Sequence, residues 1–187
     1  EVTIVEAMDS ILPIFDKELR RPLELFVKKN KIKVHTSVFA KGAESTKDGR
    51  TKLFYVDKNA KEGTKPDEII ADKILVTVGR KPNSKALEPT GVALDERGFV
   101  KVNDRCETNM RGVYAIGDVC NSGEMLAHVA SFQGEMVAEI IAGKKRSYDP
   151  VAVPAIVFTE PEIVSVGLSP EEAKAAGHPV IIGKFPL

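Results

Sequence analysis

The chain has 187 residues, 43% of them apolar, which allows one large domain or parts of two and is ordinary for a globular protein. Its 27 basic and 27 acidic residues cancel, excluding a global field that would draw it to nucleic acid or an anionic membrane. The longest uncharged runs, such as residues 150–159, fall well short of the roughly 18 to 20 apolar residues that span a bilayer, so a soluble protein with small-molecule or protein partners is expected.

Residues 2–5 are a β-branched run ending at Glu6, and such side chains suit a buried parallel strand. A chain that opens inside a strand, with no initiator Met and no targeting sequence, is expected to be truncated at its N-terminus. After a loop through Pro13, Asp16 is the expected N-cap of a helix reaching about Asn30, with Leu19, Leu23, Phe26 and Val27 on one face. Pro22 lies beyond the first turn and should bend that helix without ending it. Residues 32–38 alternate apolar and polar side chains and read as the next strand, which completes a βαβ unit.

A meander is expected next, from strands at 39–44, 52–57 and about 68–70, with Asp48-Gly49 marking a tight turn. Residues 73–78 form a nearly continuous apolar strand that stops at Gly79-Arg80-Lys81-Pro82-Asn83, where a domain boundary is expected. Further strands are expected at 99–102 and 113–116, followed by the polar stretch 117–124. A helix from about Ala127 to Ala142 carries Val129, Phe132, Met136, Val137, Ile140 and Ile141 as its apolar residues. Gly143 is its stop signal, and Lys144-Lys145-Arg146 suit the negative end of its dipole. A second boundary is expected near Asp149-Pro150. Strands at 155–159 and 163–167 then precede a short helix, announced by Ser169 as N-cap, Pro170 in the first position and an acidic first turn, and ending at Gly177.

Few residues outside these elements suggest chemistry. Cys106 and Cys120 are the only cysteines and lack metal-ligand or redox-pair spacing, so both are expected to be plain buried thiols, and no metal site is expected. His35 and His178 look like ordinary strand and loop residues.

The segment Thr108-Asn109-Met110-Arg111-Gly112-Val113-Tyr114-Ala115-Ile116-Gly117-Asp118 joins a Thr, an apolar strand and a terminal Gly-Asp, and it resembles the second flavin-binding motif of the pyridine nucleotide-disulfide oxidoreductases. A buried strand would deliver the Asp118 carboxylate to its C-terminal end, where α/β sheets bind ligands, with Gly117 allowing close backbone approach. The resemblance implies that Asp118 accepts a hydrogen bond from the ribityl chain of FAD. Met125-Leu126-Ala127-His128 is similar to the Met-Leu-Ala-His of the lipoamide dehydrogenase branch, where a helix start places N–H donors against the flavin edge that becomes negative on reduction. It implies direct contact at Ala127; His128 could suggest a general base, but its place in the first turn leads to the expectation of a packing or capping role.

Glu6 ends the strand at which a dinucleotide domain binds adenosine ribose, and a carboxylate there favours NAD over NADP. The resemblance extends to Val38 on the adenine side and to Thr77-Val78-Gly79-Arg80, similar to a family corner beside the nicotinamide. Phe158-Thr159-Glu160-Pro161-Glu162 resembles the opening of the family's dimer-interface domain.

The implied fold class is α/β, with parts of two Rossmann-like dinucleotide-binding domains, for NAD (1–79) and FAD (80–149), and the start of an α+β dimerisation domain (150–187). The implied activity is oxidation of dihydrolipoamide by NAD⁺ through FAD and a redox disulfide. The implied partners are a second subunit in a homodimer and the lipoyl domains of 2-oxoacid dehydrogenase complexes, in the cytoplasm or, in a eukaryote, the mitochondrial matrix. Neither the redox cysteine pair, the glycine loops nor the C-terminal His-Glu pair of the family is in this sequence, so the chain is expected to be an internal piece, inactive alone. An NADPH-dependent disulfide or mercuric reductase and a noncatalytic nucleotide-binding module are the alternatives.

Overall fold

The computed structural model describes residues 1–121 and 125–185. The end of the polar stretch at Ser122, Gly123 and Glu124, and Pro186 and Leu187, lie outside them. The chain divides into two compact units, residues 1–77 with 156–187, and residues 78–155.

In the first unit, Thr3–Val5 (β1), Lys17–Lys29 (α1) and Lys33–His35 (β2) form the expected βαβ unit, with Ile4 opposite Val34 in a parallel pair. The helix begins where its cap does. Asp16 accepts the Glu18 N–H at 2.7 Å, satisfying one of the donors that a helix start leaves unpaired. Leu23 and Val27 are buried, while Leu19 remains 39% exposed, so the buried stripe is narrower than the apolar pattern suggests. The helix runs past Pro22, as a proline-bent helix can.

Residues 32–38 are not one strand. Ser37 turns out of the extended run at φ +55°, its N–H bonded to the Met8 carbonyl and its own carbonyl to the Lys58 N–H, both at 2.7 Å. Those bonds end β2 at His35 and start the next strand at Val38. Val38–Ser45 (β3), Thr51–Asp57 (β4) and Asp67–Ala71 (β5) then form the antiparallel meander, with a bulge between Ala40 and Gly42. Gly49, at φ +82°, makes the turn joining β3 to β4. Pro154–Val157 (β6) and Ile163–Val166 (β7) form a two-stranded sheet. Pro170–Ala175 (α3) starts with a capping box, in which Ser169 and Glu172 each bond the other's backbone N–H.

Residues 73–78 are not a strand either. Among the described residues no backbone partner takes their N–H or carbonyl groups, and Leu75 and Val78 are 87% and 93% exposed. A run of β-formers makes a strand only beside another strand, and none pairs with it among the described residues.

In the second unit the strands expected at 99–102 and 113–116 are reduced to isolated bridges, Val100 with Leu94 and Cys120, and Tyr114 with Glu107. Each is a single bridged position and not a ladder. The unit is instead built around Ala127–Ile141 (α2), which has the expected extent and stops ahead of Gly143 at φ +89°. Met136, Val137 and Ile140 pack with Cys106, against Tyr114 and Tyr148. Burial of such side chains stabilises a fold by about 1.5–3 kcal/mol each. Phe132 and Ile141 remain 44% and 68% exposed, and Gln133 takes a place on the buried face. A 3₁₀ helix at Lys85–Thr90 was not expected from the sequence; its internal Pro89 reads as a breaker. Among the described residues no helix is long and apolar enough to cross a membrane.

Candidate functional site

The 108–118 segment is a pinned hairpin rather than an extended strand. Thr108 and Val113 are joined by the Thr108 N–H and hydroxyl, both donating to the Val113 carbonyl at 3.0 and 2.9 Å. Ala115 continues the hairpin by donating to the Cys106 carbonyl at 3.0 Å. Beside it, the Glu107 carboxyl is held below the usual carboxylate range by hydrogen bonds from the Asn103 and Arg105 side chains.

The hairpin leads into a 3₁₀ turn, Gly117–Val119, that lies against α2. Gly117 has φ +67°, and a Cβ placed on it would stand 2.9 Å from the Ala130 Cβ. Glycine is therefore required here by helix packing as well as by backbone conformation, whereas the sequence pattern suggested close approach to a ligand. The Gly117 N–H donates to Gln133 Oε1 at 2.7 Å, and its carbonyl accepts from the Cys120 N–H and thiol at 3.1 and 3.2 Å. The Asp118 carboxylate, at the next position, accepts from the Arg80 guanidinium at 3.0 Å through Oδ2. No other partner takes that carboxylate among the described residues.

A cavity of about 600 Å³ lies in the same unit and is lined in part by Gly79, Arg80, Lys81, Arg97, Cys120 and Met125. Its volume is in the range of small-molecule sites. Three cations line it against one carboxylate, Asp95, whose Oδ1 already accepts the backbone N–H groups of Arg97 and Phe99. The cavity thus favours an anionic or electron-rich ligand. Three of the expected site residues, Gly79, Arg80 and Met125, line it, and Arg80 reaches from it to Asp118.

Leu126 is the N-cap of α2 and provides no side-chain cap. Ala130 is the first residue to donate back into the helix, to the Leu126 carbonyl, so the N–H groups of Ala127, His128 and Val129 have no partner among the described residues. His128 is exposed, in the first turn of α2, and its side chain caps no helix end among the described residues.

The other two expected residues belong to the first unit. Glu6 follows β1, and its Oε1 accepts the Met8 N–H at 2.8 Å, which fixes the carboxylate, while Oε2 has no partner among the described residues. Val38 is buried beside it, with its N–H bonded to the Glu6 carbonyl at 3.1 Å. The residue that sequence reasoning missed is Gln133. Its signal was present, because position 133 falls on the Val129, Met136, Val137, Ile140 stripe where an amide is out of place.

Comparison with known proteins gives two family matches. Residues 1–134 match the pyridine nucleotide-disulphide oxidoreductases, and residues 153–187 match the dimerisation domain of the same group. Dihydrolipoyl dehydrogenases from Thermus scotoductus, Pseudomonas aeruginosa and Bacillus subtilis are similar at 46%, 43% and 40% identity, each over the whole of this chain. The chain spans 40%, 38% and 39% of their lengths. Among solved structures, an HOCl-induced flavoprotein disulfide reductase from Escherichia coli superposes with a TM-score of 0.79 at 25% identity, over 95% of this chain and 39% of that one. A NAD-dependent persulfide reductase from A. fulgidus gives 0.74 at 28% identity, over 95% and 33%.

Proposed function

The chain belongs to the pyridine nucleotide-disulphide oxidoreductase family, and from that premise we propose that the protein carrying it is an NAD⁺-dependent dihydrolipoyl dehydrogenase. Members of the family use FAD and NAD(H), and the residues present fit both groups. Bound FAD supplies a two-electron carrier that no side chain provides. For FAD the fit rests on the N–H groups at the start of α2 and the Asp118 carboxylate, which have respectively no partner and one partner among the described residues, and on the cationic cavity lined by Arg80 and Met125. Asp118 accepts from a ribityl hydroxyl in this reading, and the Ala127 N–H donates to the edge of the ring system on which negative charge develops. Leu126, His128, Gly117 and Gly79 shape the surrounding backbone.

For NAD the fit rests on Glu6, whose remaining oxygen is poised for a ribose hydroxyl and whose charge would repel a 2′-phosphate. Val38 is the apolar neighbour on the adenine side. Under this reading residues 1–79 are the NAD part, 80–149 the FAD part and 150–187 the start of a dimerisation domain. The chain positions cofactors, and the redox cysteine pair and an acid–base His-Glu pair come from elsewhere in the homodimer, which works in the cytoplasm or, in a eukaryote, the mitochondrial matrix. By itself it would not turn over. Lipoyl domains of 2-oxoacid dehydrogenase complexes are the proposed substrate carriers.

The single observation that carries the proposal is the Gly117–Asp118 turn set against the start of α2, in a chain 38–46% identical to dihydrolipoyl dehydrogenases over its whole length. A second reading, a disulfide reductase of the same superfamily that prefers NADPH, draws support from the flavoprotein disulfide reductase among the structural neighbours, at the lower identity of 25%. Assay of the whole protein decides between them. Reduction of NAD⁺ by dihydrolipoamide is expected, and a strong preference for NADPH with another disulfide or with mercuric ion would overturn the first reading in favour of the second.

A further inference from the structure

We infer that Gln133 is a positioning residue for the flavin, fixing the Asp118 carboxylate relative to the donor end of α2; this rests on the flavin reading of Asp118 and Ala127. Gln133 is 1% exposed, on a helix face otherwise made of Val129, Met136, Val137 and Ile140. A primary amide at such a place costs desolvation unless its polar atoms are bonded, so an apolar residue would pack there more simply. What the amide provides is an acceptor aimed out of the helix. Its Oε1 takes the Gly117 N–H at 2.7 Å, across 16 positions of sequence.

That bond closes a clamp. The Gly117 carbonyl is already held by the Cys120 N–H and thiol, and the absence of a Cβ lets the Gly117 backbone lie on Ala130. With the N–H and carbonyl of Gly117 both fixed, the backbone leading into Asp118 has little freedom to rotate, so the helix sets where the Asp118 side chain starts and Arg80 then holds one of its oxygens. Gln133 is about 9 Å along the axis from Ala127, at 1.5 Å per residue. One side chain therefore ties the two groups assigned to the flavin, an acceptor for the ribityl chain and a donor for the ring edge, into one rigid piece. Rigid placement is what makes fixed donors effective, since they need no rearrangement when charge develops.

A purely structural amide would satisfy the same N–H and stabilise the protein equally with and without cofactor. A positioning amide does more, because its loss should be felt at the flavin. The experiment uses the whole flavoprotein with Gln133→Met, which keeps length and removes the acceptor, Gln133→Glu, which keeps an acceptor oxygen, and Gln133→Asn, which draws it back by one methylene. Rates of FAD release, the visible flavin spectrum, and melting temperatures with and without added FAD are measured. Gln133→Met and Gln133→Asn are expected to release FAD about tenfold faster, as loss of one hydrogen bond allows. They should also shift the flavin bands and lose much of the FAD-induced rise in melting temperature, while Gln133→Glu restores all three. If Gln133→Met does not fold, Gln133→Asn and Gln133→Glu carry the comparison. Wild-type FAD retention and spectrum in Gln133→Met or Gln133→Asn, with melting lowered equally in both forms, would overturn the inference alone. A wild-type protein that takes up no FAD would overturn the flavin reading and this inference with it.

Discussion

Arg80 donates to Asp118 Oδ2 at 3.0 Å across 38 positions of sequence, linking the Gly79-Arg80 corner to the last residue of the 108–118 motif. The pair is open to solvent, with side chains 72% and 44% exposed, so it contributes little to stability, about 0.2–1 kcal/mol for exposed pairs. Its consequence is orientation, because it holds one carboxylate oxygen and leaves the other without a partner among the described residues, where the proposed ribityl hydroxyl would donate. Asp118→Ala is expected to purify with FAD depleted, since the acceptor is lost. Arg80→Met should unfold within about 1 kcal/mol of wild type in urea. Full FAD occupancy in Asp118→Ala, measured by absorbance of released flavin, would remove Asp118 from the site.

Gly117 meets two constraints at once, a φ of +67° and a helix whose Ala130 Cβ leaves no room for a side chain. Gly117→Ala is expected to destabilise the protein by about 1–3 kcal/mol in chemical denaturation. Replacing Ala130 by Gly in the same chain should recover part of that loss, with a coupling on the order of 1 kcal/mol. Additive effects of the two substitutions would show that the steric constraint is not the one that matters.

Glu6 offers a test of nucleotide choice. Glu6→Ala should raise KM for NAD⁺ by about 10- to 100-fold, the range for a hydrogen bond to a charged group, while KM for dihydrolipoamide changes little. The same variant should discriminate less against NADPH, because the charge that repels a 2′-phosphate is gone. Parallel steady-state titrations with NAD⁺ and NADP⁺ measure both effects, and an unchanged KM for NAD⁺ would remove Glu6 from the nucleotide site.

Asp48, in the turn between β3 and β4, is held at about 2 by the Thr46 hydroxyl and then by Arg50. Because the folded value is depressed, its contribution to stability is fully present above the ordinary aspartate range. It is lost as pH falls through about 2, where the folded carboxylate protonates too. An NMR titration should place the Asp48 midpoint well below that of an unstructured aspartate. Thr46→Val should raise it, and an unmoved midpoint in that variant would leave Arg50 as the main cause.

Features fixed by neighbouring residues are legible in the sequence, and features fixed by distant ones are not. Asp16, Asn30, Gly143 and the Ser169 to Glu172 box mark helix ends because capping is a bond between a residue and one a few positions away. Val38 failed as the end of a strand for a reason equally local in sequence yet remote in cause. Ser37 leaves the ladder to bond Met8 and Lys58, and nothing in residues 32–38 announces those partners.

Within the 108–118 motif, the sequence alone determined that a Gly-Asp pair would precede a long helix with an open N-terminus, and that family membership would follow from these residues. It could not determine that residues 73–78, 99–102 and 113–116 would lack ladders, because strand pairing depends on what lies alongside. Nor could it show that Gln133 would reach Gly117 or that Arg80 would reach Asp118. Hydrophobic periodicity and capping act over a few residues and can be read from the order of side chains. A hydrogen bond across 16 positions or an ion pair across 38 exists only once the chain has brought its partners together, and the flavin site proposed for this protein is made of contacts of that second kind.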